Sequence, residues 1–461
     1  MTTTTHLLRQ RRFLPLFVTQ LLGAFNDNLF KNAMVLFAVY SLYNSESQEA
    51  AFSGIASALF VIPFVTLSAL SGQLADTRDK AGIIRVVKAC EVGIMVVGGA
   101  GLFLAWKNWA VETLAIPLML TALFAMGIHS TFFGPIKYAI LPQHLKPDEV
   151  LAGTGLVEAG TYIAILAGTI LAGWIPVEWA AVGVILTALI GYVAGRQVPP
   201  APPLGTETKV SFPVLDWFRA RAGSKLTYGL GWLPMAIADQ FVSAYRLIRN
   251  TTDDRRVALA IGAISFFWAV GTILFIQFPP LAKNVLHASK EVASLFLVIF
   301  SIGIAVGSMS INALLKGTVS ARFSPPTVVV MGLFVVAFWF VCSHWQDHQG
   351  EGLMQLGAFV SHPQAVWLLL ALFGIAVAGG MFVVPLYAFL TTFVPPSQTA
   401  RTIAANNIVN SGAMVLGAVL SLVLGKFGIP LVDQLLVSAG MSVVSAALGY
   451  WLYRAERAAL G

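Results

Sequence analysis

Charged residues are scarce in this chain. Of 461 residues only 11% are Asp, Glu, Lys or Arg, against 57% apolar, and mean hydropathy is +0.80. That balance excludes an ordinary soluble domain and places the chain in the membrane class. Cysteine is nearly absent: Cys90 and Cys342 fall in different apolar segments, which excludes a disulfide framework and a cysteine metal site. Six of the seven histidines, His129, His144, His287, His344, His348 and His362, are scattered, with loop positions dominating. No Ser/His/Asp, metal-ligand or Walker-type constellation appears. No enzyme, metal or cofactor is therefore expected. The net charge of +7 is spread thinly over loops and is no nucleic-acid footprint. Met1 to Arg12 is polar and basic without a small-residue cleavage site after a short apolar core, so the first helix is expected to be retained.

What the chain does have is long apolar runs. Hydropathy predicts twelve spans, at about 13–42, 51–74, 82–105, 113–141, 150–174, 178–198, 257–281, 290–315, 325–343, 364–393, 400–425 and 428–453. Each supplies the ~20 residues needed to cross a ~30 Å hydrocarbon core. With both termini cytoplasmic, 23 of the 28 basic residues fall on the inner side. The outer side keeps Lys107, Lys283, Lys290 and Lys426, as the positive-inside rule requires. Pro199-Pro200-Ala201-Pro202-Pro203 ends the sixth span. Residues 1–198 and 257–461 are thus expected to form two six-helix bundles, a pseudo-repeat, joined by a cytoplasmic segment over 199–256. Within that segment a helix from about Leu230 to Arg249 would be amphipathic, either lying on the lipid surface or serving as a solvated tether.

Against this background the intramembrane polar groups stand out. Asn26-Asp27-Asn28 and Lys31 interrupt the first span. A charge at that depth costs roughly 2.5–3.5 kcal/mol on insertion scales and ordinarily faces a cavity or a partner. Asp27 and Lys31, four apart on one helix face, either neutralise one another or line a pathway together. Lys137, followed by Tyr138 at the end of the fourth span, is either an interfacial anchor or a phosphate contact in a cavity. Glu158 sits in an apolar run of the fifth span. Glu91 in the third has Arg85 and Lys88 as candidate partners. In the second half the polar groups are amides: Gln277 in the seventh span, and Asn406 and Asn410 on one face of the eleventh, where interhelical hydrogen bonding is the structural alternative. Gly374, Gly379 and Gly380 before Pro385 mark a hinge or lateral-gate element.

The loop after the second span reads Gly72-Gln73-Leu74-Ala75-Asp76-Thr77-Arg78-Asp79-Lys80. Gly72 permits close helix contact, Asp76 can accept from a helix N-terminus, and Arg78 and Lys80 would hold the loop at the anionic surface. This resembles the signature of the major facilitator superfamily. The resemblance implies an all-α membrane protein of twelve transmembrane helices in two bundles, with this loop latching them on the cytoplasmic side. The equivalent place after the eighth span keeps Lys316 and Arg322 but lacks the acid.

The blocks Phe25-Asn26-Asp27-Asn28, Gly134-Pro135-Ile136-Lys137-Tyr138, Leu156-Val157-Glu158-Ala159, Gly379 to Leu386 and Asn406-Asn407-Ile408-Val409-Asn410 together resemble the bacterial lysophospholipid transporters of that superfamily. The resemblance implies a monomeric flippase in the bacterial inner membrane, taking lysophospholipids from the outer to the inner leaflet. There an acyltransferase with an acyl-carrier-protein synthetase would restore the missing chain. Some relatives carry the acyltransferase on the same chain; here the sequence stops at the last span. Two departures stand out: the segment between the bundles is long, and neutral Gln277 occupies a place where some relatives carry a base. The competing expectation is proton-coupled export of an amphiphilic drug or metabolite, with Asp27 or Glu158 carrying the proton.

Overall fold

A computed structural model describes residues 6–42, 46–204, 232–346 and 352–458. Leu14–Phe37 forms α1, Glu46–Thr77 α2, Lys80–Trp106 α3, Ile116–Ala139 α4, Val150–Trp174 α5 and Val177–Arg196 α6. Trp232–Thr251 is α7. Arg255–Pro280, Lys290–Leu315, Ser324–Ser343, Ala365–Thr392, Thr399–Lys426 and Gln434–Ala458 are α8 to α13. Eleven helices among the described residues are long and apolar enough to cross a membrane. The remaining span, α1, has the length, 24 residues, but its Asn-Asp-Asn and Lys31-Asn32 pairs dilute the apolar run. Polarity within that span is a property of the site it builds.

Local chemistry sets the helix ends. Asp79 caps α3 by accepting from Ala81 and Gly82 N–H at 3.3 and 3.0 Å, and ties down the chain after α6 through Ala201 N–H at 2.7 Å. Asp254 caps α8 through Arg256 N–H at 2.8 Å. Capping of this kind satisfies amides that the helix itself cannot. Lys316 and Gly317, with φ of 51° and 79°, end α9 in left-handed conformation, a route that glycine takes at no steric cost.

The six spans before residue 199 pack chiefly on one another: α1 on α5 and α6, α3 on α4 and α6, α2 on α4. After residue 254 the pairs are α9 with α11, α10 with α11 and α13, and α8 with α12 and α13. The two sets meet mainly along α5–α9 and α2–α12, with α4–α12 and α5–α11 between. Small residues permit that approach. A Cβ on Gly155 of α5 would fall 2.6 Å from the Ser308 carbonyl oxygen of α9.

The helix expected over 230–249 is seen as α7, and it does not stand off as a tether. Its Ala244, Leu247 and Ile248 pack with Ala69 of α2 and Ile408 of α12, over the seam between those helices. The face bearing Phe241 and Tyr245 stays exposed. Residues 205–231, including Trp217 to Tyr228, lie outside the described residues.

Candidate substrate cavity and the closure beneath it

The polar groups of α1 converge on a central cavity of about 360 Å³. Asp27, Asn28 and Lys31 line it from α1, Ser130, Lys137 and Tyr138 from α4, and Glu158 and Thr161 from α5. Trp268 of α8, Tyr387 of α11 and Asn410 of α12 close the far wall. Of the two alternatives for Asp27 and Lys31, the structure shows the shared wall, since among the described residues they form no ion pair. Asp27 Oδ2 accepts instead from Ser130 Oγ at 2.7 Å, while Oδ1 is buried without a hydrogen-bond partner. The Lys31 ammonium lies 5.9 Å from the Phe60 ring centroid, within cation–π range. Asn28 donates to the Ala24 carbonyl of its own helix at 2.8 Å.

Lys137 faces this cavity, with its ammonium 4.9 Å from the Tyr138 ring centroid. Tyr138 donates its hydroxyl hydrogen bond to Glu158 Oε1. Its ring stacks on Tyr387 at a centroid distance of 4.8 Å and an interplanar angle of 8°, joining α4 to α11 across the cavity floor. Beyond it, the Tyr387 hydroxyl accepts from Trp268 Nε1 at 3.1 Å and Asn410 Nδ2 at 3.3 Å, and Ser265 Oγ donates to Asn410 Oδ1 at 2.7 Å. Asn406 is fully buried, close to the Tyr387 hydroxyl but outside hydrogen-bond geometry, with both amide atoms unpartnered. Gln277 is not in the cavity wall. It is buried near the other end of α8 and donates to Gln434 Oε1 of α13 at 3.1 Å, where it joins two helices.

The same two helices, α1 and α5, also line a larger chamber of about 820 Å³. Lys31 and Ile165 line the first, while their neighbours Asn32 and Leu166 line the second. Leu36, Ile170, Trp174 and Leu297 make one part of its wall apolar, while Asn32, Asn108, Thr169, Glu291 and Ser294 make the rest polar. At the opposite end the cavity is shut. Asp76, 3% exposed, accepts from the backbone N–H groups of Ala400 and Arg401 at 3.1 and 3.2 Å, and the Arg401 guanidinium lies 3.4 Å away. The carboxylate therefore caps the N-terminus of α12 from the end of α2, where the helix dipole favours a negative charge. A Cβ on Gly72 would meet Ala404 Cβ at 2.7 Å. Arg78 is exposed, but Lys80 is not: it is 1% exposed and close to Asp76 and Asp79. Lys80 cannot hold the loop to a lipid surface, because the two carboxylates draw it inward. Likewise Lys88, counted above as an inner-side base, is wholly buried against Glu91.

Sequence reasoning passed over His129, Ser130, Tyr162, Trp268 and Tyr387. His129 sits mid-span in α4 rather than in a loop, and Tyr162 stacks on Trp268 at 6.4 Å. Single aromatics in apolar helices carry no periodic signal, and only the register of α4 beside Asp27 points to Ser130.

The Major Facilitator Superfamily model matches residues 16–361 and 259–461, so the chain belongs to this superfamily of membrane transporters. Relatives include the lysophospholipid transporter LplT of Yersinia pestis (strain Pestoides F) and that of Yersinia pseudotuberculosis serotype O:3 (strain YPIII). Each is 26% identical over 435 residues, covering 92% of this chain and 89% of the relative. Among solved structures, a bacterial homologue of the iron transporter ferroportin in an outward-facing state superposes with TM-score 0.65 at 11% identity, covering 96% of this chain and 98% of that one. The human organic anion transporter MFSD10 gives 0.64 at 14% identity, covering 96% and 98%. At those identities the likeness is one of fold.

Proposed function

We propose that this protein moves lysophospholipids from the outer to the inner leaflet of a bacterial cytoplasmic membrane by alternating access. The observation that carries the proposal is the pairing of the two chambers. A space of about 360 Å³ with Lys31 and Lys137 facing Asp27 and Glu158 suits a zwitterionic or anionic head group and is too small for a whole lipid. The second chamber, of about 820 Å³, offers an apolar strip of Leu36, Phe37, Leu166, Ile170 and Leu297 that would take one acyl chain. The name of the Yersinia relatives supports the same substrate class. In this reading the Asp76 end is cytoplasmic, both termini lie on that side, and residues 1–198 and 257–461 act as two bodies rocking about the cavity, linked through 199–256. Lys137 meets the phosphate, Lys31 assists it, and Asp27 takes the ammonium of an ethanolamine head group. The Gly72–Lys80 loop is the latch, opened when the head group passes inward. The protein works as a monomer, and an acyltransferase with an acyl-carrier-protein synthetase consumes the lipid delivered.

Purified protein in liposomes with fluorescently labelled lysophosphatidylethanolamine tests this. Protein-dependent transbilayer movement without a pH gradient is the expected result. Movement of amphiphilic cations driven by a proton gradient, with none of the lysolipid, would turn the assignment to drug export.

A further inference from the structure

Behind the cavity wall lies a second group of charges that the lipid reading leaves unused. Glu91 of α3 is wholly buried, ion-paired with Lys88 one turn earlier and accepting from Asn26 Nδ2 of α1 at 3.0 Å. His129 of α4 brings its Nε2 to 3.1 Å from Glu91 Oε2. Both ring nitrogens are buried without a hydrogen bond, Nε2 in ion-pair range of Glu91 and Nδ1 with no partner at all. The ring stacks on Phe133 and lines the central cavity. Its neighbour in sequence, Ser130, holds Asp27. His129 thus touches the Glu91 carboxylate on one side and the substrate space on the other.

The charges around it balance. Asp27, Glu91 and Glu158 are three acids; Lys31 and Lys88 on α1 and α3, with Lys137 on the histidine's own helix, are three bases. From the turn between α2 and α3, Arg78 and Asp79 face a second recess that His129 also lines. With the imidazole neutral, the intramembrane set is uncharged. An anionic head group bound at Lys137 tips that balance by one charge in a medium that screens poorly. A histidine is the side chain whose ordinary titration range lets one added charge decide its state near neutral pH.

We infer that His129 is a proton-binding site loaded by the substrate, so that an anionic lysophospholipid crosses together with one proton. This rests on the lipid reading. The proton, drawn from water in the open cavity, adds to the Nδ1 lone pair and gives an imidazolium beside Glu91. It leaves from the same nitrogen once the head group has departed on the other side. A zwitterionic head group adds no net charge and loads no proton.

Calorimetric titration of purified protein with lysophosphatidylglycerol, in two buffers of different ionisation enthalpy, counts the protons taken up. Uptake approaching one proton per lipid is expected near pH ~7, with binding roughly 50- to 100-fold tighter at pH ~5.5 than at pH ~8, inside the ordinary range of coupling. Lysophosphatidylethanolamine should show neither effect. His129→Gln should still bind lysophosphatidylglycerol, with uptake near zero and a flat pH profile; His129→Asn serves if the glutamine variant does not fold. Binding by the unmodified protein without proton uptake overturns the inference and leaves the lipid reading standing. Undiminished uptake in the folded variant overturns it too, placing the proton elsewhere. No binding of either lysolipid at any pH overturns both.

Discussion

Removing Asp76 should open the closed end of the cavity. In the structure its carboxylate takes two backbone N–H groups at the start of α12 and lies 3.4 Å from the Arg401 guanidinium. Hydrogen bonds to a charged group contribute ~1.5–3 kcal/mol each, and a helix cap about 1 kcal/mol net of water's competition. Allowing that the freed amides regain water when the seam parts, Asp76→Ala should weaken closure by about 2 kcal/mol. That is a shift of roughly 30-fold in population. Gly72→Ala tests the same seam by sterics alone. Its methyl would sit 2.7 Å from Ala404 Cβ, where carbon contacts need about 3.5–4.0 Å, so α2 must retreat by roughly 1 Å. The assay is labelling of a cysteine at Asn407, which lines the cavity, in a Cys90→Ser, Cys342→Ser background. A membrane-impermeant reagent is added from the Asp76 side only. Tenfold or greater acceleration is expected for Asp76→Ala, and a smaller one for Gly72→Ala. Parental rates in both variants would refute the view that this contact holds the cavity shut.

Asp27→Asn should leave membrane abundance unchanged and abolish most transport; wild-type rates in the liposome assay would reduce Asp27 to a packing residue. Lys137→Ala should weaken lysophosphatidylglycerol binding by roughly 10- to 100-fold, the equivalent of one charge-assisted contact, and Lys137→Arg should recover part of it; equal affinities on monodisperse protein would remove Lys137 from recognition. A cysteine at Leu204 should be labelled only from the cytoplasmic side and one at Trp109 only from the opposite side, and the reverse pattern would invert the topology. Outside the membrane, burial acts to raise the Glu149 carboxyl, but the Lys146 N–H and the Arg12 guanidinium outweigh it and hold it below the usual range. Its stabilising contribution is therefore present above the ordinary carboxylate value of ~4.3 and is lost as pH falls below it. Thermal unfolding in detergent should show a loss below pH ~4 that Glu149→Gln shallows, and identical acid profiles would count against the pair.

The spans were legible because burial in lipid imposes one requirement, length with apolarity, and every apolar run met it except the one where function intrudes. The loop at Gly72–Lys80 was legible as a motif, but its partner was not: Ala400 and Arg401 are more than 300 residues away, and backbone amides leave no trace in a sequence. Depth misled at Lys80, which hydropathy treats as a loop charge while nearby carboxylates hold it inside; the Lys88–Glu91 pair, by contrast, was legible from its spacing. Gln277 misled in the opposite sense. A polar group in a span invites a pathway role, yet here a second buried amide, Gln434, absorbs it. His129 was hidden because one histidine in an apolar helix has no pattern, and only the fold brings Glu91 beside it.

The distribution of ionic contacts has a mechanical consequence. Among the described residues, the buried pairs Lys88–Glu91, His129–Glu91 and Tyr138–Glu158 all lie within the first six spans. The contact from Asp76 to Arg401 crosses to the later ones. Other crossing contacts include the Tyr138–Tyr387 stack and close approaches at glycine, Gly155 to Ser308 and Gly134 to Asn407 among them. Sliding such surfaces past one another tears no salt bridge from a low-dielectric interior, so friction along most of the seam stays low. Under the proposed alternating access, resistance to motion would be concentrated in one clasp at one edge, and a single carboxylate would set how often the protein turns over.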